Sequence, residues 1–282
     1  MFASFEDEAP QVLKFDKLKK DTKKQKELPK EVKKAGLSIV PFKTNKAQIE
    51  QRETMKQGII PHHPSSTIFN GASGSGKSNL LVNLLTRPEF YGKRNGKHYF
   101  DKIHMFSPTA GEMDDLCQHL IDHCGLETSD IHNEFDQKLL LSILDDQQKA
   151  IKKKGIHKSP KTLLLLDDIQ SDKKFLASKA IKRLFLMNRH YNTSTWLCGQ
   201  SFNLTPRACR LQANNLFLFP MGGSEKKVLI DEFSPPGLTK KEFEELVDHA
   251  TSEQYQFLHV AKKQPPATRF RKNLDTILEY RK

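Results

Sequence analysis

Short apolar runs alternate with longer stretches whose apolar residues recur at helical spacing. Thr67-Ile68-Phe69-Asn70 reads as a short buried strand, and Ser78 to Leu85 follows it as an amphipathic helix. Residues 102–106 read as a second strand that ends at Ser107-Pro108-Thr109. Helical patterns follow over 112–124 and 134–154, the second carrying its apolar stripe in Leu139-Leu140-Leu141-Ser142-Ile143-Leu144. Leu163 to Leu166 form a continuous apolar run that stops at Asp167-Asp168. A helix over 175–188, strands over 194–201 and 215–220, a helix over 239–250 and a last strand over 256–261 complete the pattern. Strands alternating with helices predict an α/β fold with a mainly parallel central sheet flanked by helices.

The two ends break this pattern. Residues 1–35 are rich in lysine and too poor in apolar residues to bury a core, which predicts a disordered or loosely helical extension. Gly36 to Phe42 is a short apolar segment suited to an edge strand or to docking on the domain, and 45–57 is a polar helix candidate. The organised domain is expected over 36–261, with 262–282 as a basic C-terminal tail.

Charge sharpens that division. The chain has 282 residues and a formal net charge of +12. Residues 14–34 hold ten lysines and four acids, and 262–282 hold seven Lys/Arg and two acids. Basic ends of this kind commonly meet nucleic acid, where phosphate neutralisation drives binding; they also serve as solvated tails. No window reaches the length of a membrane span, and the acidic N-terminus has no signal-peptide core. Cys117, Cys124, Cys198 and Cys209 have no CxxC pairing, which points to reduced thiols inside a cell.

Between the first strand and its helix lies Gly71-Ala72-Ser73-Gly74-Ser75-Gly76-Lys77-Ser78. Every fixed position of the P-loop template is present, in the strand-to-helix context the template needs. Glycines let successive N–H groups point inward at a polyphosphate, and the helix N-terminus adds its positive end. Residues 71 to 78, with Asn79 behind them, are therefore the ATP-binding set. Lys77 reaches the β- and γ-phosphates, and the Ser78 hydroxyl is a ligand for Mg²⁺.

The acid pair is the second motif. A buried strand ending in Asp167-Asp168 has the form of a Walker B strand. Asp167 is the Mg²⁺ residue, and Asp168 is placed to orient and deprotonate a water. In sequence, the strand over 102–106 is inserted between the P-loop strand and this one. Together with the second acid, that describes P-loop ATPases with their own catalytic carboxylate rather than nucleotide kinases or GTPases. Gln200, at the end of the 194–201 strand, is the candidate sensor of the γ-phosphate or the attacking water. Arg189 falls at the opposite end of that strand, where an adjacent subunit can present it to its neighbour's nucleotide. Arg207 and Arg210 are rival arginines for that role or for DNA phosphates.

Other chemistry-bearing residues read as structural. His62 and His63 lie between prolines without a third ligand nearby, which makes them loop residues. On a helix, His119 and His123 share one face, and Cys117 and Cys124 share another about 160° away, so one tetrahedral zinc site does not collect them.

The segments GASGSGKS, LLLLDD, NRHYNTSTWLCGQS and TPRACRLQANNLFLF together resemble the DNA-packaging ATPases of large eukaryotic DNA viruses and virophages, the poxvirus type included, within the FtsK/HerA superfamily. The similarity covers roughly 60–265, and its more specific part is the Arg-His before a strand ending in Gln. The resemblance implies a RecA-like ATPase core assembled as a hexameric or pentameric ring. It implies ATP-driven translocation of double-stranded DNA into a capsid, with capsid-vertex or membrane-associated assembly proteins as partners. The implied setting is the host cytoplasm at viral assembly sites, with association with the virion. Lys77 and Ser78 then bind phosphate and Mg²⁺, Asp167 binds Mg²⁺, Asp168 is the base, Gln200 the sensor and Arg189 the trans-acting arginine. Many relatives have Glu where this chain has Asp168, one methylene longer. A cellular-type DNA pump or helicase and a nucleotide-switched DNA- or capsid-binding protein are the alternative readings; a pure switch has no need of Asp168.

Overall fold

A computed structural model describes residues 12–14, 52–110 and 115–280. In chain order its principal elements are β1 (Val12–Lys14), α1 (Glu53–Lys56), β2 (Ser66–Asn70), α2 (Lys77–Thr86), β3 (Lys102–Phe106), α3 (Asp115–Cys124), β4 (Ile131–His132) and α4 (Gln137–Lys154). They continue with β5 (Thr162–Asp167), α5 (Lys173–Leu176), α6 (Lys179–Met187), β6 (Thr193–Gly199), α7 (Arg207–Gln212), β7 (Asn215–Leu218), α8 (Gly223–Phe233), α9 (Lys240–Ala250), β8 (Leu258–Ala261), β9 (Phe270–Lys272) and β10 (Thr276–Glu279).

The strands form one sheet in the order β1-β10-β9-β8-β7-β2-β6-β5-β3-β4. The run from β7 to β4 is parallel, and β8, β9 and β10 join its β7 edge antiparallel to one another. The apolar run of β5 shows why both faces are covered. Leu164 and Leu166 pack into one hydrophobic cluster, while Leu163 and Leu165 pack into the other. Successive strand residues point to opposite faces, so a continuous apolar run needs a layer on each side. One layer draws on α4, α6, α8 and α9 through Leu144, Leu184, Leu229 and Phe243. The other draws on α2 and α3 through Leu81, Leu84 and Leu120. The α/β architecture expected from the pattern is the one observed.

Three expectations change. The strand over 102–106 precedes the acid-bearing strand in sequence, but in space β3 lies on its far side. The strand between the P-loop strand β2 and β5 is β6, paired in parallel to both. Residues 262–280 are not a free tail. They return through β9 and β10, where Phe270 and Leu278 are fully buried. Their basic composition hides an alternating pattern, and Arg271 is itself buried, donating from Nη2 to the Gln57 carbonyl at 3.2 Å. The helix over 175–188 is two helices, because the Ser178 hydroxyl accepts from Ile181 N at 3.3 Å and starts α6 afresh. Of the N-terminal extension only β1 is described, pairing in parallel with β10. Gly36 to Phe42 and most of the helix expected over 45–57 lie outside the described residues.

Candidate active site

The parallel strands β2, β6 and β5 end side by side, and their connecting loops form one cleft of about 460 Å³. Ligand pockets commonly range over ~300–1,000 Å³. Ser73, Gly74, Gly76, Lys77, Ser78 and Asn79 line it from the P-loop side, and Thr109, Asp167, Asp168 and Gln200 line it from the other. Sequence reasoning placed all of these but Thr109.

The P-loop owes its curl to backbone that side chains resist. Gly74 has φ 72° and Gly76 φ 105°, both in the left-handed region. Gly71 is held between β2 and the end of β6 by a bond from its N–H to the Gly199 carbonyl at 3.1 Å. A Cβ there would stand 2.6 Å from Phe219 Cβ and 2.6 Å from Ser75 Oγ. Lys77 Nζ donates to the Gly71 and Ala72 carbonyls at 2.6 and 2.9 Å, so its ammonium lies along the loop. Burial lowers the Lys77 pKa, and Cys198, Asp167 and Asp168 oppose that shift. The acids are thus close enough for Lys77 to feel them across the cleft.

The acid side is tied together by side chains. Ser107 Oγ donates to Asp167 Oδ2 at 3.4 Å and bonds Thr109 Oγ1 at 3.0 Å, which explains why β3 ends in Ser-Pro-Thr. Asp168 adopts φ 47°, uncommon for a residue with a side chain and typical of functional turns. Gln200 Nε2 donates to Asp168 Oδ1 at 3.2 Å, so base and sensor candidates touch. Gln170, which the sequence did not single out, sets this contact. Its buried Oε1 accepts from Gln200 N and Ser201 N at 2.8 Å each, and its Nε2 donates to the Ser201 carbonyl at 2.5 Å and to Thr205 Oγ1 at 3.2 Å. Gly199 is small for this reason: a Cβ there would lie 2.5 Å from Gln170 Nε2.

These residues suit a triphosphate and its metal. The glycine cradle leaves room for oxygens to approach the backbone, and the Ser78 hydroxyl and Asp167 carboxylate supply the hard oxygen donors that Mg²⁺ prefers.

The arginines separate. Arg189 is exposed in a 3₁₀ turn (Asn188–Tyr191) before β6, at the end of the sheet remote from the P-loop. There it lines a second cavity of about 370 Å³ with His62 and Lys263. Arg210 is not a free arginine. It is buried, pairs with Glu232 through Nε and Nη2 at 2.8 and 2.7 Å, and donates from Nη1 to the Phe202 and Thr205 carbonyls. Arg207 is 70% exposed and meets the same carboxylate at 3.2 Å. The histidines and cysteines of α3 also separate: the His119 and His123 rings are 4.4 Å apart, while Cys117 and Cys124 are buried. His63 is a buried structural pin between Ser194 Oγ (2.8 Å) and Asn192 Oδ1 (3.1 Å).

Known proteins resemble this chain in sequence or in fold. The chain is 33% identical over 182 residues to the uncharacterized protein 075L of Invertebrate iridescent virus 6, a match covering 64% of this chain and 62% of that one. It therefore spans less than two thirds of that relative's length. Among solved structures, the genome packaging NTPase B204 from Sulfolobus turreted icosahedral virus 2 in complex with AMP superposes with a TM-score of 0.51 at 16% identity, over 78% of this chain and 98% of that one. Its complex with sulfate gives 0.50 at 18% identity, over 73% and 95%. These likenesses establish a common fold with a viral packaging NTPase, the group the sequence motifs resemble. Residues 60–207 match the AAA domain family, and with a complete P-loop on a parallel sheet over more than half its length the chain belongs to that family of P-loop NTPases.

Proposed function

We propose that this protein is an ATP-hydrolysing motor that translocates double-stranded DNA and packages a viral genome into a capsid. The observation that carries the reading is the Asp168–Gln200 contact, held opposite Lys77 in a cleft built for a triphosphate. A protein that merely switches on nucleotide has no use for a second carboxylate fixed there. The viral fold and the motif resemblance give the hydrolysis its purpose.

In this reading the P-loop amides and Lys77 bind the β- and γ-phosphates, and Ser78 and Asp167 hold Mg²⁺. Bound there, Mg²⁺ neutralises phosphate charge and orients the γ-phosphoryl group. Asp168 takes a proton from a water whose oxygen attacks the γ-phosphorus. The bond from that phosphorus to the β–γ bridging oxygen breaks, and its electron pair leaves on ADP. Gln200 holds Asp168 in place, its amide close enough to register whether the γ-phosphate is present. Arg189, remote from its own P-loop, serves the nucleotide of a neighbouring subunit in a hexameric or pentameric ring of the FtsK/HerA kind.

The DNA contacts lie on the same remote end of the sheet. Lys93, Arg94 and Lys97 project from an exposed hairpin turned by Asn95 (φ 49°) and Gly96 (φ 77°), near Lys161. Cations grouped on one face release counterions when they meet a phosphate backbone. Capsid-vertex or membrane-associated assembly proteins are the proposed further partners, at assembly sites in the infected cell.

The test is ATP hydrolysis with and without double-stranded DNA. DNA should stimulate turnover of the wild type. Asp168→Asn should lower kcat by about 10²–10⁴ while ATP still binds. Turnover indifferent to DNA counts against the motor, and unchanged turnover in Asp168→Asn removes the general base. Efficient unwinding of a forked duplex would favour the helicase alternative.

A further inference from the structure

The P-loop has two flanks. Sheet order puts β6 and β5 on one, with Asp167, Asp168 and Gln200 at their ends. It puts β7 and β8 on the other, and that flank is aromatic. Phe219 follows β7, and Tyr255 and Phe257 precede β8. The turn between β9 and β10 adds Asn273 and Asp275. These side chains, with Gly76, line a hollow of about 410 Å³. It adjoins the phosphate cleft, because Gly76, Asn79 and Tyr255 line both.

Tyr255 is the unusual residue. Its side chain is not needed for the core: it is 57% exposed. Yet its backbone is held at φ 68°, a conformation that bulky residues rarely adopt. Strain of this kind persists where surrounding structure imposes it, and it gathers at ligand sites. Here it brings an open aromatic ring to the P-loop rim. A Cβ placed on Gly76 would lie 3.3 Å from Tyr255 Cδ1 and 3.4 Å from Phe219 Cε1. Phe219 and Phe257 stand behind it, ring centroids 5.2 Å apart, both fully or almost fully buried and therefore rigid.

The rim of the hollow is polar. Asn273 Oδ1 already accepts from Phe257 N at 3.2 Å, which leaves the side-chain NH₂ as a donor. Asp275 is an exposed carboxylate and only accepts when ionised. A flat apolar ring that carries both hydrogen-bond acceptors and an N–H donor on its edge matches this set.

We infer that the hollow is the nucleobase subsite, with the Tyr255 ring stacking on the purine of the bound nucleotide and Asn273 and Asp275 facing its polar edge. This rests on the reading of the P-loop cleft as a triphosphate site. It also fixes the direction in which the nucleotide lies. The γ-phosphate points toward β5 and β6, where the acids wait, and the base points toward β7 and β8. The chain segment that the sequence read as a tail thus supplies half of the base-binding rim.

The test compares ATP with inorganic tripolyphosphate, which carries the phosphates without the base. Binding of each, with Mg²⁺, is measured on the full chain for wild type, Tyr255→Ala, Tyr255→Phe and Lys77→Ala. Stacking on one aromatic side chain makes Tyr255→Ala weaken ATP by about tenfold. Tripolyphosphate affinity should be unchanged in that variant, and Tyr255→Phe should behave as wild type toward both ligands. In hydrolysis assays Tyr255→Ala should raise KM and leave kcat near wild type. Equal weakening of ATP and tripolyphosphate in Tyr255→Ala overturns the subsite, because the ring would then be shaping the P-loop. Unchanged ATP affinity overturns it as well. Lys77→Ala should weaken both ligands alike. A wild type that binds neither ligand overturns the nucleotide reading, and the subsite with it.

Discussion

Gln170 shows how much one amide can organise. It joins the turn after Asp168 to the turn after β6, and so sets where Gln200 sits. Gln170→Leu should leave two part-buried backbone N–H groups without their acceptor, at less than the ~1–3 kcal/mol of a fully buried group. We expect kcat to fall by about tenfold, as for a misplaced positioning contact, with ATP affinity near wild type. Hydrolysis and nucleotide-binding assays on the same preparation check this. Lys77, Ser78, Asp167 and Asp168 were readable as residues, since their chemistry goes with a local pattern of neighbours. Gln170 was not. A glutamine after an acid pair carries no signal until the loop folds and its amide meets Gln200. Arg210 failed in the opposite direction: its residue type fits a finger, but Glu232 and two carbonyls have taken up its donors.

The elements carry a different lesson. The strands and helices of the central parallel sheet were legible because each is long and strongly patterned. Their spatial order was not. Pattern places β3 before β5 in the chain, whereas the sheet inserts β6 between β2 and β5. The P-loop tests how tightly these elements are packed. Gly71→Ala puts a methyl against Phe219 Cβ and Ser75 Oγ, so the loop must move, and we expect the KM for ATP to rise with little change in fold. Circular dichroism and ATPase kinetics separate the two effects. The strands β9 and β10 give a stronger prediction. Deleting residues 262–282 removes Phe270 and Leu278, each worth roughly 1.5–3 kcal/mol of burial. It also exposes the edge of β8. The truncated chain should be aggregated or unfolded by urea at much lower concentration. A soluble, cooperative truncation product would restore the reading of a dispensable tail.

At the scale of the molecule, the two ends of the sheet carry different residues. One holds the P-loop cleft and the acids; the other holds Arg189, Lys263 and the basic hairpin. In the proposed ring, mixing Arg189→Ala subunits with Lys77→Ala subunits should restore hydrolysis that neither variant has alone, because each supplies what the other lacks. Activity that stays absent in the mixture, with both variants still assembling, counts against action in trans. Stability should also depend on pH. Burial holds the His63 pKa down to about 4, against the opposing bond to Asn192 and helped by Lys161. The unfolded chain takes up the proton first as pH falls below 6.5, so stability is complete above that value and is lost toward pH 4. For this group the loss between pH 7 and 5 is about 2 kcal/mol. His259, fully buried and pushed down to about 3 by burial and Arg271, acts in the same direction. Urea unfolding at the two pH values measures the sum, and a His63→Leu variant should show the smaller slope. A slope unchanged in that variant would mean His63 does not titrate between the two states.

The sequence by itself determined that this is a P-loop protein, that its sheet is mainly parallel, and which residues line the cleft proposed for phosphate and metal. Those features depend on neighbours in the chain: a glycine-rich turn between a strand and a helix, or an apolar run ending in acids. The tertiary structure alone decided which strand stands between the P-loop and the acids, that Arg210 is spent on Glu232, that Gln170 holds the backbone of Gln200 while the Gln200 amide meets Asp168, and that the basic C-terminal segment closes the sheet. It also decided what faces the other flank of the P-loop. Tyr255 and Asn273 are far from Gly76 in sequence and become its neighbours only because β8, β9 and β10 fold back beside β7.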